Sequence, residues 1–204
     1  LIHISTAGIF DGKKEYYSDF EIPNPMGTYA KSKHYAEIIV SRELKKYYVF
    51  RAGWMMGGGP RKDKKFINKI FQQICQGNNE LNVVDDKLGT PTYTVDFVRG
   101  IQTLVKSDLY GIYNQVCGGS GSRYDVAVEF VKLMGLKDKI QINKVSSEFF
   151  KEEYFAPRPK SEKLLNSKLD ARRLNVMRDW KVCLREYVKY FKDDYYGEFR
   201  GNVV

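Results

Sequence analysis

The sequence predicts an α/β layer fold built on parallel strands. Three observations carry this. LIHIST (1–6) is a β-branched apolar run, residues 27–46 carry a helical stripe, and YYVFRAG (47–53) is a second apolar run. Strand, helix and strand of these lengths make a βαβ unit, whose crossover forces the two strands parallel.

The elements follow in order. LIHIST reads as a short buried strand. Residues 7–25 are rich in turn formers and in Tyr and Phe, and form a loop closed by Pro23 and Pro25. The helix from about Gly27 to Lys46 places Tyr29, Ala36, Ile39, Val40 and Leu44 on one stripe. After the second strand, Gly57–Gly59 read as a flexible turn. No Lys-Ser/Thr follows them, so they do not make a P-loop. Residues 64–77 form a helix ended by Gly77, 79–84 a strand, and 85–92 (DDKLGTPT) a turn. Residues 95–107 form a helix and 111–117 a strand. Residues 122–136 form a helix capped by Ser122 and ended by Gly135. The last third reads as irregular, until a helix around Trp180–Lys192. A softening after Gly77 divides the chain into units 1–77 and 78–204, with interleaved segments. The opening on a strand without Met suggests the C-terminal portion of a longer α/β protein.

Composition excludes several classes. Apolar residues make up 43% of the chain, enough for a core, and no apolar run is long enough to span a bilayer. LIHIST lacks the basic region and cleavage site of a signal peptide. Cys75, Cys117 and Cys183 are scattered and odd in number, which points to free thiols in a reducing, cytoplasmic setting. There is no CxxC pair, and His3 and His34 are the only histidines, so no metal site is expected. The net charge of +9 is spread out, with runs at Arg61–Lys65 and Lys132–Lys144. No nucleic-acid-binding signature accompanies it, so neither nucleic acid nor membrane is expected as partner. Asp85 and Asp86 read as a solvated pair on a turn. Tyr16, Tyr17 and Phe20 read as loop packing, and Tyr190, Tyr195 and Tyr196 as helix packing.

Chemistry centres on TYAKSKHYAE (28–37). Tyr29 and Lys33 are four residues apart, which stacks them one turn apart on a helix. A phenol ionises near pH 10, and an ammonium beside it stabilises the phenolate. Ser5 and Thr6 end the preceding strand, where parallel sheets gather their ligands. A Ser/Thr–Tyr–Lys set suits proton transfer to a carbonyl oxygen during hydride transfer. Spacing alone equally describes a surface tyrosine beside a solvated lysine. Trp54 is open to core packing or to a site, and Arg158, held between Pro157 and Pro159, to a phosphate clamp or to plain surface.

The segments HISTAGIFDG, NPMGTYAKSKHYAE, RAGWMMGGG, VVDDKLGTPTYTVDFVRGI and APRPKSEKLLNSKLD occur in this order. Together they resemble the extended short-chain dehydrogenase/reductase superfamily, and within it the dTDP-4-dehydrorhamnose reductases. The resemblance implies the C-terminal part of a Rossmann-type parallel sheet plus a smaller mixed α/β substrate lobe. It implies Thr6, Tyr29 and Lys33 as catalytic residues, with Tyr29 protonating a 4-keto oxygen. Tyr29, Lys33, Arg51, Ala52 and Gly53 would contact an NAD(P)H cofactor. Trp54, Gly89, Thr90, Pro91, Thr92 and Arg158 would contact the nucleotide-linked sugar. The implied activity is reduction of a nucleotide-linked 4-keto-6-deoxy sugar in deoxysugar and polysaccharide synthesis. A sugar-nucleotide epimerase or dehydratase is a variant. A non-catalytic partner-binding protein, like the regulatory subunit of methionine adenosyltransferase, is the alternative. Two departures stand out. The family carries an acidic residue where Ala7 stands, and its GxxGxxG turn is not in this sequence, so the chain by itself would hold only part of the cofactor site. LIHIST is therefore expected to pair with YYVFRAG and to offer its other edge to a partner or a second copy.

Overall fold

The computed structural model describes residues 1–152, 156 and 158–201, the last four by backbone alone. Pro157 of the APRPKS stretch lies outside the described residues. In chain order the elements are β1 (Ile2–Thr6), α1 (Thr28–Glu43), β2 (Tyr48–Ala52), β3 (Trp54–Met56), α2 (Gly59–Lys62) and α3 (Phe66–Cys75). Next come β4 (Glu80–Val84), β5 (Leu88–Gly89), β6 (Pro91–Tyr93), α4 (Thr94–Val105), β7 (Gly111–Asn114), β8 (Gly121–Ser122) and α5 (Arg123–Met134). The chain finishes with β9 (Gln141–Val145), β10 (Ser161–Glu162), α6 (Ser167–Ala171) and α7 (Trp180–Gly201).

The expected βαβ unit is present. β1 pairs parallel with β2, and β2 with β7, in the order β1-β2-β7. Three smaller pairings surround this sheet: β3 with β6, β4 with β9, and β5 between β10 and β8. Helix ends follow the residues that cap them. Ser122 and Asp125 form a capping box on α5, and Gly135 closes that helix at φ +78°. Gly77, just past α3, sits at φ +85°, a conformation that costs a side-chain-bearing residue far more.

Three apolar clusters hold the described residues together, the smallest formed by Ala7, Ile9, Phe10, Tyr17, Val116 and Leu164. Tyr48, Phe50, Phe97, Leu104, Tyr113 and Leu169 pack on the main sheet. The largest joins α3, α5 and α7 through Ile70, Phe71, Phe130, Met134, Trp180, Leu184, Tyr187 and Phe191. Burial of each such side chain contributes about 1.5–3 kcal/mol. Cross-links then fix the loops. Asp19 accepts the Asn114 N–H at 2.6 Å and the Lys168 N–H at 3.0 Å, and Asn166 pairs with both backbone groups of Val116. Among the described residues no helix is long and apolar enough to cross a membrane.

Several expectations are corrected. LIHIST is an edge strand rather than a buried one: Ile2 is 47% and Ile4 39% exposed, and only Ser5 is buried. α1 does not bury its apolar stripe. Only Ala30 and Glu37 are buried, while Tyr29, Ile39 and Leu44 are exposed. A buried ion pair ties this helix to the sheet. Arg51 donates to Glu37 through Nε at 3.1 Å and Nη2 at 2.8 Å. DDKLGTPT is not simply a turn, since it supplies β5 and β6. The irregular last third contains β9, β10 and α6, and the final helix runs on to Gly201. Asp86 is not merely solvated: it accepts the Ser147 N–H at 3.0 Å and O–H at 2.9 Å. No disulfide joins the cysteines among the described residues, and Cys117 and Cys183 are not scattered in space: their sulfurs lie 3.7 Å apart.

Candidate active site

Because β1, β2 and β7 are parallel, their C-terminal ends share one edge of the sheet. Thr6 lies at that edge, in register with Ala52. The chain then makes a 3₁₀ turn over Ala7–Ile9, and the Thr6 hydroxyl oxygen accepts the Gly8 N–H at 3.2 Å. This bond fixes the hydroxyl and leaves its hydrogen free to be donated.

α1 packs against β1 and this turn. Lys33 is half-buried on that side, close enough to His3 that burial and the Lys33 charge together hold the imidazole pKa below its ordinary value. Tyr29, one turn earlier, is 66% exposed. Arg51 turns part of its guanidinium to α1, while its Nη1 is buried without a hydrogen-bond partner among the described residues. It is 4% exposed, paired with Glu37, and lies 5.3 Å from the centroid of the Phe10 ring. Ala52 is buried in β2. Gly53 follows where two backbones touch: a Cβ there would fall 2.3 Å from the Thr90 carbonyl oxygen, which accepts the Trp54 N–H at 2.9 Å.

Trp54 is held from three sides. Its indole N–H donates to Glu162 Oε2 at 2.7 Å. It lies so close over Gly89 that a Cβ there would fall 2.3 Å from the ring. The Arg123 guanidinium sits 3.8 Å from the ring centroid. Glu162 also reaches the turn after β1, where a Cβ on Gly8 would lie 3.2 Å from its Oε1 and 3.6 Å from Thr6 Oγ1. The fold thus brings an acid to the turn that carries Ala7. Gly89, Thr90, Pro91 and Thr92 are buried and form the floor beneath Trp54. The Thr90 hydroxyl has no partner among the described residues. Arg158 is exposed, and its carbonyl accepts from Lys87 Nζ at 3.3 Å.

Sequence reasoning missed Glu162 and Arg123. Each had a local signal: Glu162 follows the Arg-Pro-Lys-Ser run, and Arg123 sits inside the capping box read only as a helix start. Gly57–Gly59 form a turn with all three φ values positive. Among the described residues no cluster of His, Cys, Asp and Glu is arranged to hold a metal ion.

Known proteins resemble this chain in sequence and fold. The chain is 29% identical over 189 residues to the spore coat polysaccharide biosynthesis protein SpsK of Bacillus subtilis, covering 92% of this chain and 63% of that protein. The structure of a dTDP-4-dehydrorhamnose reductase from Clostridium acetobutylicum superposes with a TM-score of 0.84 at 34% identity, over 92% of this chain and 64% of that one. The enzyme of that name from Bacillus anthracis, in complex with NADP, superposes with a TM-score of 0.83 at 28% identity, over 91% of this chain and 64% of that one. The chain therefore spans less than two thirds of the length of the curated relatives it matches. The family described as the RmlD substrate binding domain matches residues 1–192, and this chain belongs to that family.

Proposed function

We propose that this chain carries the proton-transfer and sugar-binding residues of an NAD(P)H-dependent reductase acting on a dTDP-linked 4-keto-6-deoxy sugar. The observation that carries the reading is the meeting of Thr6 and Trp54 around Glu162. A strand-end hydroxyl and a locked indole flank one carboxylate, beside the helix that bears Tyr29 and Lys33. Residues 1–77 supply the proton-transfer set, and 78–204 most of the sugar side.

The donor set at the strand ends fits a nicotinamide ribose. Lys33 offers an ammonium, and Ser5 a buried hydroxyl without a partner among the described residues. The cofactor, when bound, supplies hydride to the sugar carbonyl carbon. Tyr29 gives its phenolic proton to the carbonyl oxygen, Lys33 stabilises the resulting phenolate, and Thr6 donates its hydroxyl hydrogen to orient that oxygen. Ala52 and Gly53 contribute backbone to the cofactor side, where Arg51 Nη1, buried without a partner among the described residues, adds a donor. Gly89–Thr92 support Trp54 against the sugar, with Arg158 at the rim. Cysteines without a disulfide among the described residues fit a reducing cytoplasmic setting, and the unpaired edge of β1 a self-association.

Titration calorimetry with a dTDP-sugar, NADPH and NADH tests the reading, together with NADPH oxidation followed by absorbance. The dTDP-sugar is expected to bind. Tyr29→Phe is expected to lower turnover about 10²–10⁴-fold while leaving sugar-nucleotide affinity in place. Absence of dTDP-sugar binding in a folded sample would overturn the reading in favour of a partner-binding relative.

A further inference from the structure

We propose that Arg123 is an anion clamp of the sugar-nucleotide site, gripping the substrate's diphosphate from the face of Trp54. The inference rests on the reading above for the identity of the ligand, and adds a residue that reading does not contain.

Arg123 opens α5, and its guanidinium lies against two aromatic faces, 3.8 Å from the Trp54 centroid and 5.0 Å from that of Phe66. Among the described residues it makes no hydrogen bond and no ion pair. The group is half-buried, and packing around it pushes its pKa down to about 10. Glu162 opposes this shift and the nearby charge of Arg158 adds to it. Two cations therefore share one neighbourhood with one carboxylate, and that carboxylate already accepts the Trp54 N–H. A desolvated charge without a hydrogen-bonded partner is costly, and the cost is relieved when an anion arrives.

The geometry selects the anion. Stacking on a ring uses the face of a guanidinium and leaves its in-plane N–H donors at the edge, where they suit the paired oxygens of a phosphate. In a dTDP-linked neutral sugar the diphosphate carries all the negative charge. Arg123 and Arg158 would neutralise it from two sides. Trp54 cannot drift to make room, because Gly89 lies beneath it and Glu162 holds its nitrogen. Trp54 therefore sets the position of the guanidinium relative to Thr6, and a gripped diphosphate places the sugar toward the proton-transfer residues.

The test is calorimetric titration of dTDP and of thymidine into the parent protein, Arg123→Gln and Arg123→Lys, at low and high salt. The parent is expected to bind dTDP more tightly than thymidine, with a preference that salt erodes. Arg123→Gln is expected to weaken dTDP at least tenfold, to leave thymidine within about twofold, and to flatten the salt dependence. Arg123→Lys keeps the charge without the planar fork and should fall between; it decides the matter if Arg123→Gln does not fold. Equal dTDP affinity in parent and folded variants overturns the clamp and leaves the reductase reading standing. Equal losses for dTDP and thymidine also overturn it, because a general loosening of the site, rather than a lost phosphate contact, would behave so. A parent that binds neither dTDP nor a dTDP-sugar overturns both.

Discussion

A single indole shows how little freedom the site has. Trp54 is held by Glu162, by Gly89 and by Arg123, and removing any one should loosen it. Gly89→Ala is the sharpest change, since its new methyl would meet the ring at 2.3 Å. It is expected to weaken dTDP-sugar binding at least tenfold, measured by calorimetry, with far-ultraviolet circular dichroism unchanged. A second residue-scale prediction concerns acid. Burial by itself would raise the Asp96 carboxyl, but Arg178, donating at 2.8 and 2.7 Å, and the Cys183 thiol outweigh burial and hold its pKa below 3.8. A depressed carboxylate contributes stability above its unfolded pKa, and that contribution is lost as pH falls through the folded value. The urea midpoint should therefore drop below about pH 4, and Asp96→Asn should remove that part of the drop while destabilising the protein by roughly 1–3 kcal/mol at neutral pH. Thr6, Tyr29, Lys33 and Trp54 could be singled out as candidates because their neighbours in sequence form motifs. Glu162 lies 108 residues from Trp54, and no local pattern records such a contact.

At the scale of elements, α1 stands out. Its sequence reads as an amphipathic helix, yet its main tie to the sheet is ionic. Glu37 and Arg51 are 2% and 4% exposed and form a two-point pair. Removing one partner of a buried pair costs about 3–5 kcal/mol, so Glu37→Ala should lower the unfolding free energy by that order, read by urea denaturation. Combining it with Arg51→Met should recover part of the loss, because no charge is then left buried alone. Elements with strong periodicity or caps, such as α3, α4 and α5, were legible. β9 was not, because Gln141, Asn143 and Lys144 give it the polarity of a loop, and its strand character comes from pairing with β4. β5, β6 and β10 are two or three residues long, too short for any alternation to show.

Across the whole molecule, the parallel order β1-β2-β7 was half legible. The βαβ unit predicts the first pairing, whereas the third strand arrives 59 residues after β2 ends, contacts α6, and shares an apolar cluster with Phe97 and Leu104 of α4. β1 leaves one edge unpaired among the described residues, with Ile2 and Ile4 exposed on it. Such an edge recruits further strands. Sedimentation velocity is expected to show concentration-dependent association that Ile4→Lys reduces; a monomer at all concentrations would refute this. The two tryptophans also divide the molecule optically. Trp180 is sealed in the largest cluster at 2% exposure, and Trp54 stands at the site between a glycine and a cation. Trp180→Phe would leave one emitter whose intensity follows occupancy of the site, and Trp54→Phe one whose spectrum follows melting of the core. Ligand capture and unfolding could then be timed separately in the same protein, without an added dye.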